Sequence, residues 1–134
     1  MTNFDAPNRE ICITRRVNTN TPLQALNLLN DPQFVEASRC LSERAQKTYD
    51  TLEDQLTYSF RLSTGVKPSE ALLIAMKEQY SDAFEHFQQN PNLADSLLAI
   101  GDMPFDEQLD KNKTAALTMV ANTIFNFDET YMKR

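Results

Sequence analysis

Polar side chains crowd the segment from Arg15 to Asp31. Arg15 and Arg16 stand just before Asn18, Thr19, Asn20 and Thr21; Gln24, Asn27 and Asp31 then recur at three and four residue spacing, with Asn30 beside the last. Guanidinium forks grip carboxylates and sulfates through paired hydrogen bonds, and neighbouring amides can hold sugar hydroxyls. One reading of Arg15, Arg16, Asn18, Thr19, Asn20, Gln24, Asn27, Asn30 and Asp31 is therefore a ligand site for an acidic, carbohydrate-like anion. The other is architectural: Asn, Thr and Asp cap helices and brace loops, so the same groups can tie an irregular arm to two helix N-termini. Leu23, Leu26, Leu28 and Leu29 surround the amides. Burying such an amide without a partner costs about 1–3 kcal/mol, so either reading requires that these groups be bonded.

Other constellations point to no reaction. A nucleophilic triad needs a base beside its nucleophile, and the one histidine, His86, falls where a helix would expose it. The sequence holds no haem-attachment CxxCH, phosphate-binding glycine loop or HExxH pattern. Glu53-Asp54, Asp106-Glu107 and Asp128-Glu129 pair carboxylates, but neighbours on a helix diverge by about 100°, which makes solvated surface the expectation. Cys12 and Cys40 have no further Cys or His at zinc spacing; a single bridge or two small apolar thiols both fit. No catalytic residue, metal ligand or cofactor site is assigned in this chain.

Proline punctuation marks the elements that would carry these residues. Residues 1–20 show no helical period and read as an extended arm, with Ile11 and Ile13 alternating with Cys12 and Thr14. Thr21-Pro22 starts a short helix over Leu23 to Leu29, and Asp31-Pro32 starts the next, with Phe34, Ala37, Ser38, Leu41 and Ala45 on one face to near Lys47. A third helix, about Leu52 to Ser63, is terminated by Gly65. Lys67-Pro68-Ser69-Glu70 opens the longest helix with Pro at its first position, and its inward stripe is Leu72, Met76, Tyr80, Ala83 and Phe87. Asn90-Pro91 begins a helix carrying Leu93, Leu97 and Ile100 that stops at Gly101. The last runs from about Asn112 to Met132, with Ala116, Val120, Ile124, Phe127 and Tyr131 inward. The expectation is an all-α domain of 134 residues, about six helices in an irregular antiparallel or orthogonal bundle over residues 21–134.

Two glycines argue against an all-β chain, which needs many tight turns. A net charge of −6 repels phosphate backbones and anionic headgroups, so nucleic acid is not an expected partner. No apolar run approaches the roughly 20 residues that span a bilayer, and no signal segment opens the sequence; membrane insertion is not expected.

The polar segment also carries a resemblance. Phe4 to Glu10, Arg15-Arg16, Thr19 to Leu26 and Leu29 to Ala37 resemble the planctomycete-type PSD-one domain, an uncharacterised domain at the C-terminal end of large proteins, many of which carry cytochrome c-like haem domains. Ala121-Asn122 and Asn126 to Glu129 resemble the family's final helix. The resemblance implies that the chain is the C-terminal half of that domain and that its partner is the remainder of the domain. It also implies an extracytoplasmic parent protein whose haem is held in other domains. It supplies no catalytic residue. Cys12 stands where the family often has Cys, whereas Cys40 does not look like a family feature.

Overall fold

The computed structural model describes residues 30–127 and Thr130. Five helices fill most of that span: α1 (Pro32–Thr48), α2 (Leu52–Thr64), α3 (Glu70–Gln89), α4 (Pro91–Leu98) and α5 (Lys111–Phe125). The chain is all-α over the described residues, as the proline and glycine punctuation predicts. The expected arm and the Leu23 to Leu29 helix lie outside them.

Four of the five helices start where a short polar side chain satisfies a free backbone N–H, and α4 starts at Pro91 with no such bond from Asn90. Asp31 accepts from the Gln33 N–H at 2.8 Å with Pro32 at the first position, and Asp110 accepts from Lys113 at 2.9 Å. Thr51 caps α2 through the Asp54 N–H, and Gly65, at φ 81, ends it in the left-handed region. The start of α3 differs from the sequence expectation. Ser69 is the cap, receiving the Leu72 N–H at 3.3 Å, so Glu70 is the first helical residue and Pro68 lies before the cap. A hydroxyl one residue after the proline captures the helix start because it can accept an N–H and the ring cannot.

The centre of the bundle is α5. Nine of its residues are buried, including Thr114, Ala115, Thr118 and Ala121 besides the expected Ala116, Val120 and Ile124. It packs against all four other helices, most extensively against α1. One apolar cluster gathers Leu56, Phe60, Met76, Leu117, Val120 and Ile124; a second gathers Phe87, Ala94, Leu98, Ala115 and Ala116. Tyr80 borders both, and burial pushes its phenol above the usual range, with Asp110 adding to the rise. Small residues on α5 let its neighbours approach, so two clusters share one helix.

Where α1 meets α5, the buried hydroxyls are all bonded. Ser38, Ser42, Thr114 and Thr118 are all buried, and each hydroxyl donates to a carbonyl one turn back, at 2.7–2.8 Å. Gln46 Nε2 donates to Thr114 Oγ1 at 2.9 Å and ties the two helices.

Two expected faces and one helix end are corrected, the α1 face only in part, since Ser38, Leu41 and Ala45 are buried as expected. On α1, Val35, Ser38, Arg39, Leu41, Ser42 and Ala45 are buried, while Phe34 is half-buried and Ala37 exposed. The buried set rotates because small hydroxyl residues can face inward once bonded to their own helix. On α4, Ala94 and Leu98 face inward and Leu93 is exposed, since the close contact with α5 at Ala115 and Ala116 favours the alanine. Helix α5 ends at Phe125 rather than continuing through residues 126 and 127. The Asn126 N–H bonds to Thr123 O, a tightened last turn, while its side-chain amide donates to Asn122 O at 2.8 Å.

Candidate functional site

Of the polar segment singled out above, Arg15, Arg16, Asn18, Thr19, Asn20, Gln24 and Asn27 lie outside the described residues. Asn30 and Asp31 remain. Asn30 is exposed, and Asp31 Oδ1 is engaged as the cap of α1.

The densest polar constellation in the described interior was not anticipated. Arg39 is 0% exposed. Its Nη1 donates to Glu43 Oε1 at 2.8 Å, one turn along α1, and its Nη2 donates to the Met103 carbonyl at 2.6 Å. Glu36 stands 3.8 Å away on the preceding turn and accepts the Met103 N–H at 2.6 Å. Two side chains of α1 therefore take both backbone groups of Met103 and fasten the α4–α5 connection to α1. Arg39 Nε is buried with no hydrogen-bond partner. The spacing Glu36, Arg39, Glu43 is an i, i+3, i+7 row legible in the sequence; its burial is not, because such rows are ordinarily solvated surface.

Gly101 completes this clamp. Its φ of 103 lies in the region that favours glycine, and a Cβ there would come within 2.4 Å of Glu36 Cδ. Lys47 and Asp106 pin the same connection at 2.6 Å. The hydrogen bond from Lys47 holds the Asp106 carboxyl below its usual range, with the Gln108 N–H assisting, and the same contact raises Lys47.

The remaining sequence candidates find ordinary roles. Glu53 pairs with Lys77 at 2.6 Å, Asp54 accepts the Thr51 hydroxyl, and Asp128 and Glu129 fall outside the described residues. His86 is exposed and lies edge-on to Phe87. Cys40 is a half-buried free thiol, raised chiefly by burial; Cys12 lies outside the described residues. Among the described residues no group of three or more His, Cys, Asp and Glu is arranged to hold a metal ion. No described helix is long and apolar enough to cross a membrane.

A second polar locus opens at the surface, where α1 turns into α2. Tyr49, Asp54, Thr57, Tyr58, Arg61 and Lys67 are among the residues lining a cleft of about 550 Å³. The rings of Tyr49 and Tyr58 are 5.4 Å apart and tilted by 54°. Sequence reasoning missed this locus because Tyr49, Tyr58 and Lys67 belong to three separate elements. The i, i+4, i+7 row of Asp54, Tyr58 and Arg61 was its one available signal.

Over the described residues the chain is an all-α bundle with a charged clamp and an open surface cleft. The family model of PSD1, described as a protein of unknown function (DUF1553), matches residues 1–80, and the chain belongs to that family. The match takes in the polar segment, α1 and α2 and ends within α3; it does not include the C-terminal residues that also carry the resemblance. No curated protein and no solved structure matches the chain.

Proposed function

We propose that the chain is a structural and interaction module, in which the Arg15 to Asp31 segment braces the N-terminal arm against the helical bundle and against the remainder of its parent domain. The observation that carries this reading is Asp31. Its carboxylate is committed to the first turn of α1, and α1 packs more extensively on central α5 than on any other helix, so a segment joined at Asp31 is joined to the core. Following the family resemblance, the setting is a large extracytoplasmic multidomain protein whose haem belongs to other domains.

The test is thermal unfolding of Arg16→Ala and Asn20→Ala. Each is expected to lower stability by about 1–3 kcal/mol, the cost of leaving a bracing partner unpaired. Unchanged melting together with loss of a ligand interaction would instead assign the segment to binding.

A further inference from the structure

We propose that the cleft between the α1–α2 corner and the α2–α3 turn binds a uronic-acid-type saccharide, with Arg61 and Lys67 holding its carboxylate and Tyr49 and Tyr58 its ring faces. This site is built from residues 49–67, none of them in the Arg15 to Asp31 segment, and does not rest on the bracing role.

Three features carry the assignment. The first is charge: Arg61 and Lys67 face the cleft and form no ion pair among the described residues, in a protein of net charge −6. Against them stands one carboxylate, Asp54, leaving a local excess of a single positive charge. That balance suits a monoanion better than a phosphate dianion, which Asp54 and the overall field would repel.

The second is shape. Rings 5.4 Å apart and tilted by 54° are too close to sandwich a flat base, but both line the cleft, where aromatic surface can pack against the C–H groups of a sugar. The third is preorganisation. Gln55 Nε2 holds the Tyr49 carbonyl at 2.7 Å, fixing the corner, and the Thr51 hydroxyl holds Asp54 Oδ2 at 2.6 Å, which leaves Oδ1 to accept a ligand hydroxyl. Gly65, in its left-handed turn, brings Lys67 back to the rim shared with Arg61. Groups held in this way lose little freedom on binding.

The experiment is an amide-resolved NMR titration of the full chain with tetragalacturonate, beside maltotetraose and a triglutamate peptide as neutral and non-sugar acidic controls. Tetragalacturonate is expected to give saturable shifts centred on residues 49–67 with a Kd near 1 mM, an open-cleft affinity of about −4 kcal/mol. Arg61→Gln, at an exposed position, keeps the fold and weakens binding about tenfold, in line with loss of a charge-assisted pair. Tyr58→Ala has a comparable effect, checked by an unchanged amide spectrum away from the cleft. No saturable shift at about 10 mM tetragalacturonate overturns the proposal. So does binding that Arg61→Gln and Tyr58→Ala leave intact, or equal binding of triglutamate or maltotetraose.

Discussion

Helices α5 and α3 make an instructive pair. In α5, 15 residues long, nine side chains are buried; in α3, 20 residues long, only Met76 and Phe87 are fully so. The longer helix carries the cleaner amphipathic stripe and sits at the periphery. The shorter one, rich in Ala and Thr, is the hub. Centrality follows from how closely neighbours can approach, which small residues permit and large ones prevent. Where α5 meets α1, hydroxyls bonded along their own helices replace much of the apolar packing that α3 uses, and one buried arginine on α1 holds the connection that leads into α5.

If that contrast is right, substitutions around α5 and its clamp should cost far more than equivalent ones on α3. The largest effect is expected at Arg39. Arg39→Ala removes a fully buried side chain, empties its volume and releases the Met103 carbonyl from α1, for a loss of about 3–4 kcal/mol in urea unfolding. Lys77→Ala, which deletes a comparably short ion pair on α3, is expected to change stability by less than about 0.5 kcal/mol, because both partners are exposed. Similar costs for the two would remove the distinction.

Next comes overpacking. Ala115→Leu, at a 0% exposed position of α5, should destabilise by about 2–3 kcal/mol, whereas Ala75→Leu on the exposed face of α3 should be nearly neutral. The denaturation midpoint at constant m-value measures both.

The two glycines sharpen the comparison at finer scale. Both have positive φ, but a Cβ at Gly65 meets nothing within 4 Å, while one at Gly101 collides with Glu36. Gly65→Ala should cost about 1 kcal/mol from backbone strain alone, and Gly101→Ala about 2 kcal/mol or more as the clamp shifts. Equal losses would mean that Glu36 yields freely.

The smallest effect is electrostatic. Asp106 has a depressed folded-state pKa, so its contribution is complete above its unfolded value, near 3.9, and is lost as pH falls through the folded one. Lys47 is raised, so its share is complete below its unfolded value, near 10.4, and is lost as pH rises through the folded one. Lys47→Met should flatten both limbs of a stability-against-pH profile while leaving the neutral plateau close to wild type, the pair lying at the surface with Lys47 exposed and Asp106 half-buried.

Much of the local order was legible before any coordinates. Asp31-Pro32, Gly65 and Asn90-Pro91 mark boundaries because caps and prolines act through their own backbone, within a turn of where they stand. The stripe from Leu72 to Phe87 was legible because a peripheral helix has one buried side, and period 3.6 reports one side well. The same logic placed Ser38, Leu41 and Ala45 correctly on α1 but not Phe34 and Ala37, and on α4 it chose Leu93 where Ala94 is buried. There the inward side is set by how near α5 comes, and serine or alanine then outcompetes phenylalanine or leucine for the interior. Of the candidate polar segment, the capping role of Asp31 was the part that could be followed into the structure.

By itself, then, the sequence determined an all-helical fold for the described residues, most of its boundaries and its kinship with the PSD1 family, since each depends on short-range backbone chemistry or on contiguous residues. Only the tertiary structure decided that α5 is the hub, that Arg39 is buried on Met103, and that Tyr49, Tyr58, Arg61 and Lys67 share one cleft. Those outcomes depend on distances between segments far apart in the chain, and helical periodicity constrains the rotation of each helix without fixing its neighbour.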